Sequence, residues 1–340
     1  MVEWVQGADE REKMKSTVDI RENEILKLDK ELLQILLKDK TTGRNIIWAT
    51  DNYLKYGEKY SFNSPITVDL ITSRHGNVIK PRVEKSRQEQ LQRVRQKAEV
   101  FTPSWICNMQ NNLVDNSWFR RENVFNYEQM ESHSWQINTQ KIVFSQEEGK
   151  TWQDYVSANR MEMTCGEAPY LVSRYDAVTG EYIEVPNRIG LLDRKLRVVS
   201  ENCTDEEQWL KWGYHAVQSC YGFDWQGDNV LIARENVLFS VAEHYFYLFG
   251  KDLSPSDLVG LAKVIAWNIW QMDGLKFVIP NSCCTETKIE ETLFETIVVS
   301  TECEGCKKGK PLKHNGIYCK IKDWDTHRTI RFVDLLGEEK

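Results

Sequence analysis

The sequence lacks most of the patterns by which common enzyme and membrane classes are recognised. No uncharged apolar run reaches the roughly 18 residues that a membrane-spanning helix needs. It also has no phosphate-binding loop, no Ser-His-Asp signature and no nuclease motif, so no sequence pattern points to these enzyme classes. The charged N-terminal residues 1–13 contain no apolar signal-peptide core. We therefore expect a globular, cytoplasmic protein that is not embedded in a membrane.

Positive charge is also scarce, except in one segment. The net charge of −7 argues against nucleic-acid binding by the whole surface. Lys80–Lys97 nevertheless carries seven basic and two acidic residues, and Glu84–Gln96 has a helical pattern. One interpretation is that Arg87, Arg93 and Arg95 neutralise DNA phosphates. The other is an ordinary solvated helix face.

The first part of the chain, residues 1–97, has the pattern of an α+β accessory region. Apolar residues recur at helical spacing over Ser16–Lys38, which predicts an amphipathic helix. Two short β-like stretches follow, Asn45–Ala49 and Ile66–Ile71, with turn residues between them. Helical patterns also cover Leu210–Val241, broken at Tyr221-Gly222, and Leu258–Ile269.

Three acidic residues lie at or beside the ends of predicted strands. Glu162 precedes a turn in which Gly166 and Ala168 would let backbone approach a nucleotide-type ligand. Asp224 ends a second strand, where a carboxylate can pair with two ribose hydroxyls. Asp273 lies beside a glycine and could accept a hydrogen bond from an adenine amino group. Any one of them alone is more often a turn or cap residue, so the prediction depends on their order.

A segment upstream of these acids, around Phe101, resembles a known family motif. Ala98–Pro103, with Phe101, Thr102 and Pro103, is similar to the FTP motif of gamma-type N6-adenine DNA methyltransferases, including the methylase subunits of restriction-modification systems. The resemblance implies that this motif lies against the methionine end of S-adenosylmethionine. It also implies further cofactor-binding positions, namely Glu162, Cys165 and Gly166 in the cofactor loop, Asp224 at the ribose and Asp273 at the adenine.

The resemblance extends over about residues 95–340 and implies an α/β fold. Residues 98–280 would form a Rossmann-like, S-adenosylmethionine-dependent methyltransferase core. Residues 281–322 would be a Cys-rich insertion, and residues 323–340 would return to the core as its terminal strand. Arg331–Leu336 is similar to the strand that leads into the family's catalytic motif.

The sequence departs from the family at two places. The cofactor loop has Ala168 where a second glycine is usual, and Glu167 where a small residue is common. More seriously, the catalytic tetrapeptide, Asn or Asp followed by Pro-Pro and an aromatic residue, is not found, because no Pro-Pro pair occurs in the sequence. That motif holds the adenine amino group and stacks on the flipped base. No catalytic residue is therefore assigned.

Three functional hypotheses follow. The first is an adenine-specific DNA methylase subunit that binds DNA and needs a second subunit carrying the catalytic motif, or works with a restriction or specificity subunit. The second is a catalytically degenerate methyltransferase fold that only binds DNA or a partner. The third is a methyltransferase that acts on something other than adenine. Binding of S-adenosylmethionine separates the second hypothesis from the other two.

Cysteines are concentrated near the C-terminal end of the chain, with His314 among them. Cys284, Cys303, Cys306 and Cys319 have a spacing that fits a four-thiolate zinc site built on a CxxC turn, and Cys283 could replace Cys284. The alternative is a group of reduced thiols without metal, since the cytoplasm disfavours disulfides. Zinc here would be structural rather than catalytic.

Overall fold

The chain folds as a mixed α/β protein around a small parallel sheet. The structure, a computed structural model, describes residues 18–97, 99–145, 149–291 and 296–337. In chain order its helices are α1 (Glu22–Leu28), α2 (Leu32–Leu36), α3 (Val68–Ile71), α4 (Arg87–Lys97), α5 (Ser104–Phe119), α6 (Trp152–Ser157), α7 (Leu191–Asn202), α8 (Glu206–Gln218), α9 (Gly227–Phe249), α10 (Pro255–Asn268) and α11 (Glu304–Lys308).

The strands are β1 (Asn126–Gln129), β2 (Ser134–Ile137), β3 (Arg160–Met163), β4 (Cys220–Asp224), β5 (Ile269–Gln271), β6 (Glu286–Glu291), β7 (Thr296–Thr301), β8 (Lys320–Lys322) and β9 (Thr329–Arg331). Strands β3, β4 and β5 form the parallel sheet in that order. The central strand β4 is buried along its whole length. Helices α7 and α8 connect the first pair of strands, and α9 and α10 connect the second, as parallel pairing requires. All three strands therefore end at one edge of the sheet.

Helix α9 joins the N-terminal part of the chain to the sheet. Arg234 in this helix is completely buried, and its guanidinium donates to the carbonyl oxygens of Leu36, Lys38 and Ile269. Two of these carbonyls lie at or just after the end of α2 and one lies at the start of β5. The Arg234 side chain therefore satisfies backbone acceptors of the N-terminal region and of the sheet. Gly227, the first residue of α9, lies so close to the Ile47 carbonyl that a side chain there would collide with it.

The N-terminal region differs from the sequence prediction. Within residues 18–38, the chain forms α1 and α2 with Asp29 extended between them, where the sequence predicts one helix over Ser16–Lys38. Ser16 and Thr17 lie outside the described residues. The strand predicted at Asn45–Ala49 makes only isolated bridges, and part of Ile66–Ile71 is helix α3. Residues 46–49 do bond to residues 62–66, and Ile47 is bridged to Pro65, which has no N–H to extend a ladder. The N–H and carbonyl of Ile47 bond to the Gln271 side chain on β5, at 2.9 and 2.8 Å.

The predicted terminal strand of the core is also wrong. Phe332–Leu336 forms a 3₁₀ helix, and β9 before it pairs with β8 in a separate antiparallel hairpin. Phe332 contacts the rings of Phe223 and Trp270 at centroid distances of 6.0 and 5.2 Å. The segment therefore packs on the face of β4 and β5 and does not extend the sheet.

The Cys-rich segment, residues 281–322, contains the antiparallel pair β6–β7, and the short α11 follows it in the chain. A hydrophobic cluster that contains Tyr221, Trp270, Cys319 and Ile321 packs the end of this segment against β4 and β5. In the part of the chain that the structure describes, no helix combines the length and apolar character needed to cross a bilayer.

Candidate cofactor pocket and metal centre

The three predicted acids lie at the carboxyl edge of the parallel sheet. Glu162 on β3 is opposite Gly222, and Asp224 at the end of β4 is opposite Gln271 of β5, two residues before Asp273. All three carboxylates are buried, with exposures of 8%, 8% and 5%. The strands thus bring residues far apart in sequence to one side of the sheet.

The loop after β3 holds two further predicted positions against this edge. Gly166 has a φ of +53°, in the left-handed region that favours glycine, and its N–H donates to Asp224 Oδ2 at 3.0 Å. A Cβ on Gly166 would lie 3.4 Å from the Phe101 ring. Cys165 is buried below the loop, and its N–H donates to the Phe223 carbonyl. The predicted FTP segment, Cys-Gly loop and ribose acid therefore meet.

Ala168 is a second left-handed position in the same loop, with a φ of +65°. An alanine there carries a conformational cost of about 1–2 kcal/mol relative to glycine. Thr102 and Pro103 continue from Phe101 into α5, whose first amide, that of Ser104, donates to Asp176 Oδ2 at 2.7 Å.

Glu162 and Asp273 also accept hydrogen bonds from backbone amides of the loops that follow them. Glu162 accepts from the amides of Tyr170 and Leu171, at 3.3 and 3.1 Å, and Asp273 Oδ1 accepts from those of Leu275 and Lys276. Burial raises the pKa of Glu162 to about 8, and the nearby Asp224 adds to the rise. Glu162 and Asp273 thus stabilise the turns at this edge, as expected if they are turn or cap residues.

Burial also raises the pKa of Asp224, to about 6, although the amides of Gln226 and Gly166 oppose the rise. Its Oδ1 accepts from the Gln226 amide at 2.8 Å and its Oδ2 from Gly166. Both oxygens therefore already have one partner inside the protein. Oδ1 also accepts from the Asn229 side-chain amide at 3.4 Å, so Oδ2 is the oxygen with a second lone pair available to a ligand.

A buried polar cluster that the sequence did not reveal adjoins this edge at the start of α9. Asp228 Oδ2 accepts from Tyr53 and Arg93, both at 2.6 Å, and Lys85 lies 3.5 Å away. Burial alone would raise the pKa of Asp228, but Arg93 and Lys85 outweigh it and lower the pKa to about 2. Arg93 also pairs with Glu99, two residues before Phe101.

This cluster contains buried polar atoms that have no hydrogen-bond partner among the described residues. They are Glu99 Oε1, Gln226 Oε1, Asp228 Oδ1 and the Lys85 ammonium nitrogen. Buried polar groups are nearly always paired, so a concentration of unpaired ones indicates a place for a polar ligand or water. Asp228 comes four positions after Asp224, but nothing in that spacing indicates that Asp228 forms a buried ion pair with α4.

The prediction that Arg93 contacts DNA phosphates is wrong, because its guanidinium is buried in the ion pairs with Asp228 and Glu99. Arg87 and Arg95 on the same helix are exposed. Arg93 and Lys85 also line a cavity of about 550 Å³, together with Tyr53, Tyr56 and Glu89. The lining of this cavity does not include Gly166, Asp224 or Asp273. The helix therefore has one face buried against Asp228 and an exposed basic face.

A second candidate site lies in the Cys-rich segment. Cys283, Cys303, Cys306 and His314 bring three thiols and one imidazole together, with all four donor atoms within 4.8 Å of one another. Each of the three sulfur atoms lies 3.6 Å from His314 Nδ1. This Cys3His cluster could hold a metal ion.

Two of the four predicted metal ligands do not belong to the cluster. Cys284 is exposed and its amide donates to Asn315 Oδ1, so Cys283 takes its place. Cys319 is fully buried, with its thiol 3.4 Å from the Gln271 carbonyl, and His314 takes its place. The CxxC spacing identified Cys303 and Cys306, and only the return of the chain beside Cys283 selects His314.

Comparisons of the chain with protein-family models, with curated proteins and with solved structures found no match. The functional proposals therefore depend on the residues and their arrangement.

Proposed function

We propose that the protein is the S-adenosylmethionine-binding subunit of a restriction-modification methylase that acts on N6 of adenine in DNA. The observation that carries the proposal is the contact between the Cys165-Gly166 loop, Asp224 and Phe101 at the carboxyl edge of a parallel sheet. Ligands of open α/β sheets bind at that edge. The finer description of the fold, a Rossmann-like methyltransferase core, is part of the same proposal.

The surrounding side chains offer a partner to each part of the cofactor. Asp224 would accept from the ribose hydroxyls, and Asp273 would lie at the adenine. The unpaired oxygens of Glu99 and Asp228 could accept from the cofactor's ammonium group, and the Lys85 ammonium could pair with its carboxylate. A zwitterionic amino-acid end matches a cluster that has acceptor oxygens without a hydrogen bond and a Lys85 ammonium that makes no hydrogen bond, although it lies 3.5 Å from Asp228.

Base binding and catalysis are assigned to another polypeptide in this proposal. The sequence has no Pro-Pro pair, so a partner would supply the tetrapeptide that orients the adenine. In this arrangement the present subunit supplies the methyl donor, and methylation of DNA requires both chains. A restriction or specificity subunit would complete the system.

A degenerate fold without cofactor is the second candidate, and one observation favours it. Both oxygens of Asp224 already accept hydrogen bonds within the chain, and the side chain is only 8% exposed. If these internal bonds close the pocket, the protein would not bind the cofactor, and its function would be limited to binding DNA or a partner. Direct measurement of cofactor binding separates the two candidates.

Asp224→Asn is expected to weaken S-adenosylmethionine binding by about 10- to 100-fold, the usual worth of a hydrogen bond to a charged group. The amide removes the charge that the ribose hydroxyls meet. It keeps one of the two internal bonds, to Gln226 or Gly166, and turns its NH2 group toward the other backbone N–H. Equilibrium dialysis with labelled cofactor measures the change. Asp325→Asn, in an exposed turn, is the matched control and should bind like the unchanged protein. Absence of binding by the unchanged protein would favour the degenerate fold.

The exposed basic face of α4 is proposed as a DNA-backbone contact. Removing both Arg87 and Arg95 should reduce the slope of log affinity against log salt by about 1.8, since each phosphate contact contributes about 0.9. Salt titration of binding to a short duplex by fluorescence anisotropy measures the slope. An unchanged slope would leave the helix as a solvated surface.

The ion of the Cys3His cluster is proposed to be structural zinc. Three thiolates and one imidazole are a donor set that zinc prefers in proteins, and hard cations such as magnesium avoid it. No position in that set is left open for a substrate, so the metal has no catalytic part.

A further inference from the structure

We infer that the Cys3His cluster is a zinc clamp that fixes the turn carrying Asp273, so that metal occupancy controls the affinity for S-adenosylmethionine. The claim that the metal controls cofactor affinity rests on the proposed function. The claim that the metal fixes the turn rests only on contacts within the chain.

The donor atoms already have the spacing of a tetrahedral zinc site. With Zn–S of about 2.3 Å and Zn–N of about 2.05 Å at tetrahedral angles, sulfur and nitrogen ligands lie about 3.6 Å apart. Cys283, Cys303 and Cys306 each lie 3.6 Å from His314 Nδ1. These three distances match the value for a tetrahedral zinc site, and all four donor atoms lie within 4.8 Å of one another.

The groups around the donors fit a thiolate-rich centre. The Asn315 amide donates to Cys303 Sγ at 3.3 Å, which stabilises negative charge on that sulfur. Three thiolates and one zinc ion leave a net charge of about −1. Four lysines that follow the CxxC turn can offset that charge, namely Lys307, Lys308, Lys310 and Lys313.

Hydrogen bonds with Tyr318 hold His314 in place, and the imidazole leaves no room for a side chain at Gly305. The His314 amide donates to Tyr318 Oη at 2.8 Å, and that hydroxyl donates to the Pro311 carbonyl. A Cβ on Gly305, within the CxxC turn, would lie 2.7 Å from the imidazole. The glycine is therefore needed for the imidazole to reach the sulfur atoms.

A continuous set of hydrogen bonds connects this centre to Asp273. We define residues 273–279 as the Asp273 turn. Within it the Asp273 amide donates to Val278 and the Phe277 amide to Asp273, at 2.8 and 2.7 Å. The turn then pairs with the chain that returns from the metal centre, through Ile279 to Ile317 at 2.8 Å and Cys319 to Phe277 at 3.0 Å.

The last connection reaches a metal ligand directly. Ser282, next to Cys283, donates from its hydroxyl to the Ile279 carbonyl at 2.7 Å and accepts from the Ile317 amide at 2.9 Å. Cys283 and His314 therefore stand at the two ends of the segment that carries the β6–β7 hairpin. A metal that joins these ends closes a long loop and removes the freedom that would let the Asp273 turn separate.

The first experiment measures zinc in the purified full-length protein by mass spectrometry. We expect about one zinc per chain, and nearly none in Cys303→Ser or Cys306→Ser, because structural zinc needs its full ligand set. Cys284→Ser is the matched control, a neighbouring exposed thiol outside the cluster, and should keep its zinc. An unchanged protein without zinc, or loss of zinc in Cys284→Ser, would overturn the assignment.

The second experiment tests the clamp without relying on cofactor. Zinc is removed from the unchanged protein with a chelator, and hydrogen exchange is compared before removal, after removal and after zinc is restored. Amides of residues 273–279 should lose protection and regain it, while those of β3 should not change. Unchanged protection of the turn would overturn the clamp even if zinc is bound.

Cofactor binding then separates the inference from the function on which it rests. If zinc removal leaves the turn ordered only about a tenth of the time, the S-adenosylmethionine dissociation constant should rise about tenfold. Equal affinity with and without zinc would overturn the control of affinity and leave the proposed function intact. A zinc-loaded protein that does not bind the cofactor would overturn the proposed function, and the exchange result would still decide the clamp.

Discussion

Replacing Asp115 with asparagine is expected to lower the free energy of unfolding by about 3–5 kcal/mol, the usual cost of removing one partner from a buried ion pair. Asp115 on α5 pairs with Arg194 on α7 at 2.6 Å, and both side chains are 1% exposed. Tyr155 also donates to Asp115, at 3.0 Å. The variant leaves the Arg194 guanidinium buried without its counter-charge.

Urea unfolding at neutral pH measures the effect. Asp334→Asn is the matched control, since its ion pair with Arg331 is about half exposed and should contribute at most about 1 kcal/mol. A loss below 1 kcal/mol for Asp115→Asn would mean that the pair does not hold α5 in place. Helix α5 starts directly after Pro103, so the same contact also positions the FTP segment.

The second large effect is a loss of stability as the pH rises. Glu162 has its pKa raised from 4.5 to about 8, first by burial and then by Asp224. The folded state therefore binds a proton that the unfolded state has released, and stability falls as the pH rises between these values. This contribution is fully present below pH 4.5 and is lost as the pH rises through about 8. Its size is about 5 kcal/mol.

Glu162→Gln isolates this contribution, because glutamine does not ionise. Urea unfolding of the variant at pH 5, 6.5 and 8 should show a smaller loss of stability than the unchanged protein. Glu184→Gln, an exposed site, should follow the unchanged protein. Parallel pH curves for Glu162→Gln and the unchanged protein would show that Glu162 ionises normally in the fold.

Local patterns in the sequence were enough to predict the elements that carry the site. The predicted strands at Glu162 and Asp224 are confirmed as β3 and β4, and the helix predicted over Leu258–Ile269 is confirmed as α10. Apolar runs that end in an acid and a glycine, and apolar residues at helical spacing, depend on neighbouring residues only. The α/β class was implied by the family resemblance, and the structure is a mixed α/β fold with a parallel sheet.

Contacts between distant residues could not be predicted. The burial of Arg93 depends on Asp228, which is 135 positions away, and a charge pattern on one helix carries no sign of it. His314 joins the metal centre because the chain returns beside Cys283. Phe332 turns into a 3₁₀ helix because aromatic side chains of β4 and β5 offer it a packing surface.

The central claim is that Asp224 and Asp273 lie on either side of one adenosine-shaped ligand at the carboxyl edge of the sheet. A crystal structure of the protein grown with S-adenosylhomocysteine tests it most directly. We predict ribose hydroxyls within hydrogen-bond distance of Asp224 and an adenine ring beside Asp273. A crystal at saturating ligand in which the edge is closed by its own side chains, or in which the ligand lies elsewhere, would contradict the claim.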